Sequence, residues 1–172
     1  EDALGGDDYG VAHGIAHPTR LGVFGFRYGG LHTNFMITYT HRFRAAISYE
    51  GWGDEFNHNV STLASSSDGL DIFHGNPVDA PQNYFRQSST FHMKGVTTAT
   101  LFVSGDPGKN SNAEAREDNV FMYAALRDQG VPTELLQYDN EGHGLSKLDD
   151  QLDLLRRATA WLVNGPAASP IS

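Results

Sequence analysis

Short blocks rich in β-branched and aromatic residues alternate along this chain with longer stretches in which apolar side chains return every three or four positions, and turn residues separate the two. Alternation of that kind predicts strand–helix units and a parallel sheet, an α/β fold. Four blocks predict strands: residues 20–26 (RLGVFGF), 45–49, 99–104 and 133–138. Each is short and mostly apolar, as expected of strands covered on both faces. Helices are predicted over 29–40, 80–92, 114–129 and 148–162, the third closed by Gly130 with Pro132 beyond it. In the last, Leu148, Leu152, Leu155, Thr159 and Leu162 form one stripe, with Asp149, Asp150, Asp153, Arg156 and Arg157 on other faces. That is an amphipathic helix expected to pack on the sheet. A short helical stretch over 9–17 should end at Pro18, because proline disfavours α geometry in the residue before it. Residues 51–79, rich in Gly, Asn, Ser and Asp, are long for a plain connection and are expected to wrap the site or the domain edge. Gly5-Gly6-Asp7-Asp8 reads as a solvated terminus and 165–172 as a flexible tail, leaving one domain over 1–164.

A chain of 172 residues, 39% hydrophobic, suffices for one core. Twelve Lys and Arg against 21 Asp and Glu give a formal charge of -9, which disfavours nucleic acid and anionic membrane surfaces as partners. The absence of cysteine removes disulfides, thiolate metal sites and a Cys nucleophile. Apolar runs fall well short of the ~20 residues that span a bilayer, and the first residues carry no signal-peptide pattern. The expectation is a soluble chain of unknown compartment. With no dinucleotide fingerprint and no phosphate-binding loop, no cofactor is expected.

The segment Gly25-Phe26-Arg27-Tyr28-Gly29-Gly30 follows a predicted strand and opens a helix. That is the setting of the G-x-S-x-G elbow of α/β-hydrolases, with Arg27 where the nucleophile would stand. The glycines at 25 and 29 fit a tight turn with close helix–strand approach. The run RLGVFGFRYGGLHTNFMITYTHRFRAAISYEG, then TLFVSGDPG, then MYAALRDQGVPTELLQYDNEGHG, resembles the catalytic domain of the prolyl oligopeptidase family, especially its acylaminoacyl-peptidase and dipeptidyl-peptidase branches. The resemblance covers nearly the whole chain and implies a truncated α/β-hydrolase fold of about four mainly parallel strands with flanking helices.

Carried over residue by residue, it implies that the family serine falls on Arg27 and the family aspartate on Gly108, with Asp106 two positions earlier in Gly105-Asp106-Pro107-Gly108. The family histidine falls on His143 in Glu141-Gly142-His143-Gly144, and the backbone N–H of Tyr28 matches one oxyanion donor. In the family a propeller and the first half of the hydrolase sheet precede the region covered. The strand at 20–26 therefore becomes an edge, and a homodimer or higher oligomer through that edge is expected.

On this reading His143 could activate water, oriented by Asp139, Glu141 or Asp106, while Arg27 stabilises an oxyanion or anchors a carboxylate. Two functions follow. One is an atypical or weak carboxylic-ester hydrolase without an intact Ser-His-Asp triad, open enough for extended or polymeric esters and unsuited to amides. The other is a non-catalytic protein that binds a ligand or a partner chain. Ser48, Ser104 and Ser111 read as turn or loop hydroxyls, and the His13/His17 pair lacks a carboxylate to complete a metal set. Trp52, Phe56, His58 and Phe73 fit either an aromatic binding face or a plug that closes the long loop onto the core.

Overall fold

The computed structural model describes residues 2–62, 72–106, 108 and 113–165. Four strands, β1 (Leu21–Phe26), β2 (Phe43–Tyr49), β3 (Ala99–Ser104) and β4 (Thr133–Gln137), pair in chain order and all in parallel. The central pair is apolar on both sides, and alternate residues feed two cores. Ala46 and Phe102 point to one face, where Ile37 of α2 (Tyr28–Tyr39) and Met122 and Leu126 of α5 (Ala113–Asp128) cover them. Ala45, Ile47, Leu101 and Val103 point to the other, against Trp161 of α6 (Leu148–Asn164). The expected α/β architecture with four parallel strands is therefore present, and the predicted strand limits agree within two residues.

Three helices depart from the sequence reading. α1 spans Asp2–Ala12 and so includes the glycine pair read as a solvated terminus, ending well before Pro18. An Asp8–Arg42 ion pair at 2.6 Å ties it to the turn before β2, and Tyr9 stacks on His13 at its end. The predicted helix over 80–92 is two pieces, α4 (Pro81–Gln87) and a 3-10 turn (Ser89–His92). Between them Ser88 is extended and buried, its hydroxyl donating to Tyr84 O and accepting from the Glu55 N–H, both at 2.9 Å. A local hydroxyl competing for backbone partners outweighs helix continuity there. α6 uses only part of its apolar stripe: Leu148 and Leu155 stay more than 60% exposed.

The long connection contains α3 (Glu55–Thr62), while 63–71 lies outside the described residues. Trp52 and Phe73 are buried, Phe73 stacks on Tyr84 and Phe56 on Phe85, so these aromatic side chains plug the connection onto the core. Beneath it lie two buried acids. Asp118 accepts from the N–H groups of Gly53 and Asp54, at 2.7 and 2.8 Å, and burial raises its pKa to about 6. Burial likewise pushes Glu55 up to about 7. A carboxyl whose folded pKa is raised loses stabilisation as pH climbs from the unfolded value through the folded one. Glu55→Gln is therefore expected to unfold at higher temperature than the parent at pH 8, by roughly 3 kcal/mol of stability, and to match it at pH 4. Thermal melts across that range check this.

β1 and β4 are the sheet edges. Along β1, Phe24 and Phe26 are 55% and 40% exposed. With Leu145, Leu154, Leu155 and Leu162 they line an open apolar groove of about 490 Å³ between β1 and α6. No helix among the described residues is long and apolar enough to cross a membrane.

Candidate active site at the ends of the strands

Parallel register sets Phe26 beside Tyr49 and Tyr49 beside Val103, so the carboxyl ends of β1, β2 and β3 open on one side, where ligands bind in open α/β sheets. Arg27 follows β1 directly with φ 56° and ψ -117°, a conformation that costs a non-glycine residue about 1–3 kcal/mol. Its N–H donates to Tyr49 O at 3.0 Å and its carbonyl accepts from Leu31 N at 2.9 Å, which bolts the turn to β2 on one side and to α2 on the other. A Cβ on Gly25 would lie 1.8 Å from Gly29 O. The tight strand-to-helix elbow is thus present, with exposed Arg27 at its tip. Tyr28 opens α2, so its N–H is among those a helix leaves without an internal acceptor.

At the end of β2 the chain does something the sequence reading missed. Glu50 takes φ 51° while its N–H still closes the ladder on Val103 O at 2.8 Å, and its side chain is fully buried. Oε1 accepts from the Gly105 N–H at 2.6 Å, and Oε2 lies 3.0 Å from His143 Nδ1. An acidic residue immediately after an apolar strand, at the ligand end of a parallel sheet, was the available signal.

His143 is carried by the loop after β4. That loop presses on the end of β3: Glu141 O accepts from Asp106 N at 2.7 Å, and any Cβ on Gly105 would lie 2.2 Å from Gly142 O. Glu141 itself is buried and turned away from the imidazole ring, accepting from the N–H and hydroxyl of Ser146 at 2.8 and 2.7 Å and from Lys147 N at 2.8 Å. These donors, the Ser146 N–H first, hold its carboxyl at about 2. The Tyr49 hydroxyl accepts from Leu145 N at 2.9 Å, and the Phe26 ring sits 5.3 Å from the His143 ring. His143 Nε2 is buried and has no hydrogen-bond partner among the described residues.

The loop's anchorage has a pH signature. A depressed folded pKa contributes stability that is complete above about 4.5, the unfolded value, and lost as pH falls toward 2. Glu141→Gln puts an amide N–H where one of these donors points. It is expected to lower the melting temperature at pH 7, with the gap to the parent closing between pH 4.5 and 2, as calorimetry would show.

Asp106 Oδ1 accepts from Gly108 N at 3.0 Å, and the carbonyl of Asp139 accepts from Lys147 Nζ at 3.2 Å. Ser48 is buried and donates to Gly30 O, Ser104 is buried in β3, and Ser111 lies outside the described residues. The His13 ring contacts Tyr9 O, and the His17 ring accepts from Thr19 N. No group of three or more His, Asp or Glu side chains placed to hold a metal occurs among the described residues.

A neutral imidazole with one nitrogen on a buried carboxylate and the other bare is equipped to take a proton from water or a hydroxyl. Known proteins share the fold that carries these residues. The chain is 28% identical over 141 residues to the uncharacterized peptidase YuxL of Bacillus subtilis, a match covering 81% of the chain and 21% of that protein. A puromycin-hydrolyzing peptidase of Mycobacterium tuberculosis superposes with a TM-score of 0.81 at 26% identity, covering 95% of this chain and 25% of that one. An acylaminoacyl peptidase of Pyrococcus horikoshii shares the fold, with a TM-score of 0.75 at 21% identity, covering 99% of this chain and 28% of that one. The chain thus spans between a fifth and three tenths of these relatives. The profile of the prolyl oligopeptidase family matches residues 1–166, and the chain belongs to that family.

Proposed function

We propose that this protein hydrolyses carboxylic esters without a nucleophilic serine. The observation that carries the reading is His143, with Nδ1 on Glu50 and a bare Nε2, in ring contact with the last residue of the elbow strand. His143 removes a proton from water, and the water oxygen adds to the ester carbonyl. The Arg27 guanidinium and the Tyr28 N–H stabilise the resulting oxyanion, and the protonated imidazole returns its proton to the departing alcohol. Esters suit such a site because an alkoxide leaves more readily than an amide nitrogen, so peptide hydrolysis lies outside the proposal. The apolar groove is lined by Leu145 and by Phe26, whose ring contacts that of His143; it offers a path for an acyl chain, and its open form suits extended or polymeric esters.

A second reading, a non-catalytic protein that binds a carboxylate through Arg27 and another chain along β1, is favoured by the exposed apolar edge. Hydrolysis of a short-chain chromogenic ester separates the two. Turnover that disappears in His143→Ala supports the hydrolase; turnover equal in both proteins, or absent from both, removes His143 as the base and leaves the binding reading.

A further inference from the structure

We infer that Glu50 is the positioning carboxylate of His143, so that an acid supplied by β2 orients the imidazole and a serine at the elbow would supply the nucleophile. This rests on the reading of His143 as the base. Three observations converge on it. Glu50 Oε2 lies 3.0 Å from Nδ1, the nitrogen a triad acid engages, and this leaves Nε2 bare. The carboxylate is completely buried, and its other oxygen is fixed by the Gly105 N–H at 2.6 Å, so its direction is set by the backbone of β3. The residue also holds a left-handed φ of 51° at the end of the strand next to the elbow, and strain of this kind persists where the surroundings over-determine it, often at functional sites.

An acid in this place fixes one tautomer, Nδ1–H toward Glu50 and the lone pair on Nε2, and stabilises the imidazolium formed in the reaction. Asp106, after β3, accepts the Gly108 N–H on its Oδ1. With a serine at the elbow the chemistry is closed. The hydroxyl oxygen would bond to the acyl carbon, its proton passing to Nε2. The acyl–oxygen bond to the alcohol would break and the alcohol take that proton, after which water would release the acid by the same route.

Two readouts test the assignment, and neither depends on ester turnover by the unmodified protein. In the first, proton NMR of the protein should show a far-downfield ring N–H that is missing from both Glu50→Gln and His143→Ala. Its persistence in Glu50→Gln overturns the proposal. In the second, Arg27→Ser is exposed to a fluorophosphonate probe and the label is located by mass spectrometry on the elbow peptide. Labelling is expected to slow by roughly 10²–10⁴ when Glu50→Gln is added and to keep its rate when Asp106→Asn is added. Glu50→Gln keeps an oxygen for the Gly105 N–H and so preserves the loop contact. Equal labelling with and without Glu50→Gln, or loss on Asp106→Asn alone, overturns it. Absence of ester turnover in the unmodified protein would sink the hydrolase reading and leave both of these outcomes legible.

Discussion

Alanine at position 143 is expected to lower ester hydrolysis by roughly 10²–10⁴, the usual contribution of a positioned general base. The expectation follows from the bare Nε2: no other side chain described at the strand ends combines a buried acid partner with an unengaged base. The alanine variant also leaves the Glu50 carboxylate without its imidazole donor inside the protein, so some loss of stability should accompany the loss of rate. His143→Asn separates the two effects, because its amide can still donate toward Glu50 yet cannot accept a proton from water. Rates measured well below the melting temperature of every variant should show both substitutions equally inactive. An asparagine variant with parental activity would show that His143 supports the loop and does no chemistry.

Gly25→Ala is expected to be the most damaging single substitution in the elbow, costing about 4 kcal/mol or more. The added methyl would lie 1.8 Å from Gly29 O, 2.0 Å from its carbonyl carbon and 2.7 Å from Gly30 N, all backbone atoms that no rotamer change can move. Relief requires α2 to slide away from β1, yet Gly25 is paired with Ser48 in the ladder and α2 is tied through Arg27 to Tyr49. For a domain of this size the loss corresponds to a fall in melting temperature of roughly 10 °C. Gly29→Ala is the control: a Cβ there meets nothing within 4 Å, and alanine favours helix over glycine by up to about 1 kcal/mol. Equal melting temperatures for the two variants would refute the close approach of helix and strand.

Strands were legible because their signal is local. Leu101, Phe102 and Val103 give the block at 99–104 an apolar centre, as Leu135 and Leu136 do the block at 133–138, and the structure places strands there. The elbow was legible for the same reason, since glycines at fixed offsets around a strand end leave few alternatives. Helix interruptions were not. Ser88 breaks the predicted helix over 80–92 through its bond with the Glu55 N–H, a contact made across 33 residues that no periodicity encodes. Glu50 was harder still. Its partner His143 is 93 residues away, and the backbone turn that aims its side chain is one a glycine would be expected to occupy. Sequence reading therefore looked for an acid after β3, where Asp106 stands, and did not weigh the residue that follows the strand beside it.

Among the described residues the outer flank of β1 pairs with no strand and Phe24 and Phe26 are exposed along it, which for this chain by itself has a colloidal consequence. A row of open backbone donors and acceptors beside an apolar groove attracts like surfaces, and the chain's formal charge of -9 is the long-range force that opposes the encounter. That opposition acts over a Debye length of only about 8 Å at physiological ionic strength and shrinks to about 3 Å in molar salt. Salt thus sets how closely two copies approach, whereas the edge itself is indifferent to it. Dilute buffer would hold copies apart, and concentrated buffer would bring the two flanks within reach of each other.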